Sequence, residues 1–186
     1  MFKINILNTQ TYLKILSPVD TVTVEQYFHT NAAHLAPWEP LRSEDFYSTP
    51  QIRQRLNNML ADAQQGVAFQ FGIFAQPSDE MIGACNFTGV ARGPFQACHL
   101  GYSLAQHAQG KGVMTLALQA GIHFMFTEQK LHRIMASYIP HNVKSEQVLQ
   151  RLGFGQEGYA KSYLKIAGKW QDHILTSLIN PQDLES

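Results

Sequence analysis

The chain has 186 residues, 45% apolar and 15% charged, which suits one soluble globular domain, residues 1–186, with a substantial core. Lys plus Arg (14) equal Asp plus Glu (14), so the charge balance gives no case for autonomous nucleic-acid binding or for a membrane surface. The two cysteines, Cys85 and Cys98, lack CxxC or zinc spacing, which points to a reducing compartment, buried thiols and no metal site.

At the start, Met1–Ile6 lacks the apolar core of a signal peptide, and no later apolar run approaches the ~18 residues of a membrane span. A cytoplasmic protein, monomer or homodimer, is expected. Thr11–Leu16 predicts a first strand, ended by Ser17-Pro18. Residues 24–35 predict a helix with Thr23 as its N-cap and Pro37 closing it. Residues 37–50 form a proline-punctuated, partly acidic loop of a length usually associated with function or mobility. Thr49-Pro50 opens a second helix, with proline at the first position. Its stripe of Ile52, Leu56, Met59, Leu60 and Ala63 reads as a core face. Alternating Phe69, Phe71 and Ile73 mark a strand that turns at Gln76–Asp79. Strands follow over 81–90 and 95–104, separated by Arg92-Gly93-Pro94. Gly112–Phe126 predicts a helix with Val113, Ala117, Ala120 and Phe124 on one face. Leu131–Tyr138 reads as a strand and Ser145–Leu152 as a helix capped by Gly153. Residues 159–166 and 171–178 pair as a hairpin around Ala167-Gly168-Lys169. The order β-α-α-β-β-β-α-β-α-β-β predicts a mixed α/β sheet with helices on both faces. The two strands joined through residues 112–126 should run parallel, because a helix crosses between them.

The most informative segment is Gly101–Met114, which leads from a strand through a glycine-bracketed turn into a long apolar helix. From Gln106 to Thr127 there is no carboxylate, and Lys111 sits at the helix entrance. Helix first turns favour Asp or Glu, because their unpaired N–H groups attract negative charge. A start that omits acids and offers glycines plus a lysine suits a ligand that brings the charge with it. Gly110 and Gly112 remove the Cβ atoms that would hold a phosphate away from the amides. The same residues also suit a plain, flexible strand–turn–helix connection. A P-loop does not fit, since Lys111 lies between the glycines and no Ser or Thr directly follows Gly112. A dinucleotide fingerprint does not fit either, since Thr115 stands where the third glycine belongs.

What fits is Gln109-x-x-Gly112-x-Met114. It resembles the pyrophosphate-binding turn Q/R-x-x-G-x-G/A of the GCN5-related N-acetyltransferases (GNAT), with Met114 departing from the small last residue. Leu131-His132-Arg133-Ile134, Pro140-x-Asn142-x-x-Ser145 and Gly153-Phe154 resemble the RimJ/RimL branch of that superfamily. So do Pro37-Trp38-Glu39-Pro40, Ile82-Gly83, Asn86-Phe87, Glu157-Gly158-Tyr159 and Gly168-x-Trp170-x-Asp172-His173, and the likeness covers nearly the whole chain. The resemblance implies a GNAT-like acyl-CoA N-acyltransferase fold: a mostly antiparallel sheet with a splayed central parallel pair and helices on both faces. It also implies acetyl-CoA as cosubstrate and direct transfer, within a ternary complex, to the N-terminal alanine amine of a ribosomal protein.

Acetyl transfer from a thioester to an amine needs an anion cradle, a polarised carbonyl and proton handling on both sides. The amides around Gln109, Gly110, Lys111, Gly112, Val113 and Met114 are the candidate cradle. The resemblance assigns carbonyl polarisation and pantetheine hydrogen bonds to backbone groups of Tyr102, Ser103 and Leu104, which are free only where the neighbouring strand diverges. Asn142 suits a contact to the pantetheine arm, since its amide donates and accepts. It equally suits a turn or cap after Pro140. By the family's P-x-N-x-x-S pattern Ser145 would donate a proton to the departing thiolate; alternatively it is the N-cap of the next helix. Tyr138 is a further candidate acid, or a core residue of its strand. Leu116 stands where many relatives carry a helix glutamate. Glu39 is then the candidate to recognise or deprotonate a cationic N-terminus, or else a solvated loop residue, and Trp38 is the candidate groove wall. A free α-amine, with pKa ≈ 7.7–8.0, needs only a modest base, whereas a lysine near 10.4 would require about 4–5 kcal/mol at pH 7. Asp172 and His173 read as structural, and His99, His107 and His132 as satisfied histidines. Two other readings remain on the sequence. One is a small-molecule acceptor (polyamine, amino acid or aminoglycoside), which an acid-rich pocket would favour and for which Glu39, Glu44 and Asp45 are few. The other is a ribosome-assembly binding protein in which transfer is secondary.

Overall fold

Phe69–Ala75 is so apolar that both of its faces need cover, and Phe69, Phe71, Ile73 and Phe74 are all buried. It lies within an eight-stranded sheet in a computed structural model that describes residues 3–6 and 10–183. Met1-Phe2, where the leader segment was sought, lies outside the described residues. The strands are β1 (Lys3–Asn5), β2 (Thr11–Ile15), β3 (Phe69–Ala75), β4 (Glu80–Ala91), β5 (Ala97–Leu104), β6 (Arg133–Tyr138), β7 (Gly155–Ile166) and β8 (Lys169–Ile179). The helices are α1 (Thr21–Leu35), α2 (Thr49–Gln65), α3 (Val113–Thr127) and α4 (Val143–Arg151). The strand order is β1-β2-β3-β4-β5-β6-β8-β7. Every neighbouring pair is antiparallel except β5 and β6, which α3 connects.

The two faces of the sheet carry different helices. Cys85 and Phe87 of β4 face α3, whose Gly121 approaches so closely that a Cβ there would stand 2.8 Å from the Phe87 ring. Phe124 of α3 packs edge-on against Phe69 and Phe71, at 5.3 and 5.7 Å between ring centroids. The alternate residues of β4, Ala84 and Asn86, share the opposite face with Tyr27 and Phe28 of α1 and Ile52 and Leu56 of α2. The expected mixed α/β sheet with helices on both faces is therefore present. α3 is apolar nearly all round: Met114, Ala117, Leu118, Ile122, Phe124, Met125 and Phe126 are buried.

The structure differs from the sequence expectation in detail. β1 is an additional strand, too short to give a period. α1 starts at Thr21, after a 3₁₀ turn over Pro18–Asp20, so Asp20 and not Thr23 is its N-cap residue. The Asp20 carboxylate accepts from the Ser17 amide at 3.0 Å and pairs with Lys14. α2 begins at Thr49, which puts Pro50 at the second helical position. α4 begins at Val143 with Asn142 as its cap, so Ser145 sits inside the first turn and is not the N-cap. The loop over residues 37–50 contains 3₁₀ turns at Ala36–Trp38 and Glu44–Tyr47. In the β7–β8 hairpin the register shifts between Ala160 and Leu164, and Asp172 accepts from the Ser162 amide at 2.7 Å and from the Tyr159 hydroxyl. Asp172 thus holds a bulge, as its structural reading anticipated.

Gly121 generates a stability prediction. A β-branched side chain there must displace the fully buried Phe87 ring, so Gly121→Val should lower stability by about 1–3 kcal/mol. Urea denaturation checks this; an unshifted midpoint would mean that the ring yields freely.

Candidate active site

β5 and β6 pair only from Ala97↔Arg133 to Leu100↔Ala136. Beyond that, β5 continues to Leu104 against β4 and β6 continues to Tyr138 against β8, so a gap opens between the two parallel strands. The Ala105 amide donates to the Ile82 carbonyl at 2.8 Å. By the alternation of an antiparallel ladder, Ser103 and Gly101 also direct their backbone groups towards β4. The N–H and C=O of Tyr102 and Leu104 therefore face the gap, where no strand receives them.

The side chains at this point go to opposite faces. Tyr102, across from Cys85, lies on the α3/α4 face, where its hydroxyl is 2.7 Å from Ser145 Oγ and donates to the Ser145 carbonyl at 3.2 Å. Ser103, across from Ala84, lies on the α1/α2 face with its Oγ 3.0 Å from the Tyr27 hydroxyl. Burial pushes both tyrosine hydroxyls up to about 12, so both keep their protons near neutrality. Asn142 Oδ1 accepts from the Ser145 amide at 3.2 Å, which caps α4 and leaves its NH₂ group without a protein acceptor among the described residues. Tyr138 is buried, and its hydroxyl approaches Glu146 at 3.4 Å; burial and the Glu146 charge raise its pKa.

On the α3/α4 side of the gap stands the glycine turn. Gly110 and Gly112 have φ of +74° and +75°, and nothing lies within 4 Å of where either Cβ would be. Both positions require the left-handed backbone and both open onto free space. Gly112 is the N-cap of α3 with no side-chain cap, and among the described residues no amide from Gly110 to Thr115 finds a protein acceptor. Six N–H groups thus lack a protein acceptor around one end of a helix whose dipole is positive there. The side chain of Met114 is only 6% exposed and belongs to the core, so its bulk is withdrawn from the turn. Val113 packs partly against the core, while Lys111 is exposed. The Gln109 side chain spans two helices: Nε2 is 2.9 Å from His34 Nε2 of α1, and Oε1 accepts from Lys144 Nζ of α4 at 2.7 Å.

On the α1/α2 side lies a cavity of about 630 Å³. It collects Trp38, Glu39, Tyr102, Ser103, Tyr138, Asn142 and Ser145 around the gap, whereas Leu104 and residues 109–114 lie outside it. Glu39 is half-buried, and desolvation raises its carboxyl pKa against the opposing pull of Arg42. Its carbonyl accepts from the Ala167 amide at 2.9 Å, which ties the loop to the β7–β8 turn. The Trp38 ring packs 5.7 Å from that of His141.

Sequence reasoning missed Tyr27, Arg42, Arg55, Leu164 and Ile166 on the cavity wall. Tyr27 sits on a helix face that reads as core, and no spacing rule marks two arginines 13 residues apart as neighbours. His173 is buried, with Nδ1 3.0 Å from the Gln171 carbonyl, and it reaches the cavity. His107 approaches Glu80 at 3.6 Å, His132 approaches Asp183 at 2.9 Å, and His99 is exposed; none of the three lines the cavity. Glu44 and Asp45 do not line it either. Among the described residues no group of His, Cys, Asp and Glu is arranged to hold a metal, and no helix is long and apolar enough to cross a membrane.

The acetyltransferase (GNAT) domain profile matches residues 14–155. Ribosomal protein uS5-alanine N-acetyltransferase of Escherichia coli K12 is 44% identical over 179 residues, covering 96% of this chain and 92% of that protein. The crystal structure of the ribosomal-protein-S5-alanine acetyltransferase from Vibrio fischeri superposes with a TM-score of 0.93 at 42% identity, over 97% of this chain and 98% of that one. RimJ of Mycobacterium smegmatis, in complex with CoA-disulfide, superposes with a TM-score of 0.90 at 28% identity, over 100% of this chain and 90% of that one. With the parted parallel strands, the acid-free glycine turn and these relatives in view, the chain belongs to the GNAT acetyltransferase family.

Proposed function

We propose that the protein transfers the acetyl group of acetyl-CoA to the N-terminal alanine amine of a ribosomal protein, by direct transfer with both substrates bound. The observation that carries this reading is the opening between β5 and β6. It lies between an amide cradle on one face of the sheet and a cavity of about 630 Å³ on the other. Similarity to the uS5-alanine N-acetyltransferase of E. coli supports the choice of acceptor.

The residues present fit an acyl-CoA. The amides of Gly110–Thr115 would take the pyrophosphate, with Lys111 beside them, and the Met114 amide donates although its side chain is in the core. Backbone groups of Tyr102 and Leu104 would hold the pantetheine arm and polarise the thioester carbonyl, and the Asn142 NH₂ would add a donor. Bound acetyl-CoA supplies an activated acyl carbon and a thiolate leaving group. As the N–C bond forms and the C–S bond breaks, one proton leaves the amine and one reaches the sulfur. Glu39 lines the cavity with its carboxyl pKa raised by burial, which supports a role in drawing the ammonium proton. The Tyr102 hydroxyl 2.7 Å from Ser145 Oγ supports Ser145 as the group that would supply the sulfur's proton. Tyr138 is the less suited acid because its hydroxyl already faces Glu146. Trp38 walls the entrance for the acceptor. The cavity sets one carboxylate, Glu39, against two guanidiniums, Arg42 and Arg55, which disfavours polycationic acceptors such as polyamines and aminoglycosides.

Thiol release from acetyl-CoA should occur with a free Ala-led ribosomal-protein peptide and not with its N-blocked twin or with spermidine. Turnover with spermidine alone would overturn the acceptor. Replacing Gly112 by Val forces a β-branched residue to φ +75° and fills the cradle. Acetyl-CoA affinity, read by calorimetry, should fall at least about tenfold, the size of one lost charge-assisted hydrogen bond, while the folded spectrum is kept. Ser145→Ala should lower kcat by about 10–100-fold with little change in acetyl-CoA affinity. A loss of thermal stability with kcat intact would assign Ser145 to structure alone.

A further inference from the structure

Among the described residues three lysine or arginine side chains are half-buried, Lys14, Arg55 and Arg133. Lys14 pairs with Asp20 and Arg133 with Glu157. Among the described residues Arg55 has no carboxylate within 4.0 Å, and it is the one of the three that lines the acceptor-side cavity. Arg42 lines the same cavity and, among the described residues, also lacks such a partner.

The protein compensates these two charges only in part: Arg42 interacts with Glu39 through its field and without a direct ion pair. Arg55, on α2, donates from Nη1 to the Phe46 carbonyl at 2.6 Å, and its guanidinium lies 3.7 Å from the centroid of the Phe46 ring. Arg42 lies 4.6 Å from the same centroid. A single aromatic quadrupole thus serves two cations. Each guanidinium carries five N–H donors. Among the described residues Arg55 gives one of them to the protein and Arg42 gives none. Burial and the neighbouring charge of Arg42 together lower the Arg55 pKa, which is the sign of two like charges held at close quarters. A carboxylate between them would relieve the repulsion and use donors in the planar geometry to which arginine is suited.

We propose that Arg42 and Arg55 form an anion subsite that takes an acidic side chain near the start of the acceptor peptide, while Glu39 faces the α-amine. The proposal rests on the acetyl-transfer reading of the cavity and narrows its substrate class to N-termini followed closely by Asp or Glu. Glu39 and Arg42 are three residues apart, a span of at most roughly 10–11 Å. An extended peptide covers that distance in three residues, which puts the acidic side chain at positions two to four.

The test uses C-terminally amidated Ala-led hexapeptides with Glu at position two, three or four, each with a Gln twin. The side chain is then the only carboxylate in the Glu peptide. kcat/KM is measured for the wild-type chain, Arg42→Gln and Arg55→Gln, and equilibrium binding of the same peptides is measured with CoA in place of acetyl-CoA. In the wild type, Glu at one of the positions should exceed its Gln twin by about tenfold in kcat/KM and in affinity. The ratio should approach one in Arg42→Gln, whose exposed side chain can be removed without disturbing the fold, and in Arg55→Gln. Equal values for Glu and Gln twins in the wild type, or an undiminished ratio in both variants, would overturn the subsite. Acetylation of all peptides without discrimination removes the subsite and leaves the transferase reading standing. Arginine-dependent binding of the Glu peptide without transfer does the reverse.

Discussion

A sheet strand has to place every N–H and C=O somewhere, and in this protein the ladder between β5 and β6 stops before either strand does. An internal edge of this kind is unfavourable unless another group occupies it, and elsewhere in the sheet such edges are avoided by pairing. It persists because each strand is held from its outer side, β5 by β4 to Leu104 and β6 by β8 to Tyr138. The Tyr102–Ser145 and Tyr27–Ser103 hydrogen bonds fasten the β5 margin to helices on opposite faces. A thioester arm would meet backbone donors that are already oriented, so little reorganisation is needed at the moment of reaction.

α3 shows how the core serves the same end. A helix apolar over most of its circumference is anchored from Met114 to Phe126, and that anchoring fixes the direction of its first turn. Gly112 stands at its N-cap and contributes no side chain to cap it. The unpaired amides are therefore a product of the glycine-led start of the helix. Met114 has two parts: its size serves the core and its amide serves the turn.

Much of the architecture could be read from the chain because it depends on local periodicity and turn chemistry. The alternation of Phe69, Phe71 and Ile73, the glycines around Lys111 and the crossover through residues 112–126 all lie within short windows. β1 was missed because three residues give no period, and the start of α1 because a 3₁₀ turn placed the cap at Asp20. Within the site, Asn142 was correctly seen as able to cap, while Ser145 lay one turn too far in to do so. Arg42, Arg55, Tyr27 and Leu164 became neighbours only through the packing of a loop, two helices and a hairpin. No sequence spacing encodes that meeting. The parting of β5 from β6 is equally invisible to periodicity, since both strands remain regular through it.

Lys144 has only protons to offer, so the Gln109 amide it meets must present oxygen to it and nitrogen to His34. The imidazole nitrogen facing that NH₂ is thereby obliged to accept, which leaves the ring's proton on Nδ1. A lysine on α4 thus dictates the tautomer of a histidine on α1, through one amide whose backbone begins the glycine turn. The three side chains make a strap with a single polarity across the top of the molecule, and its sense is set from one end.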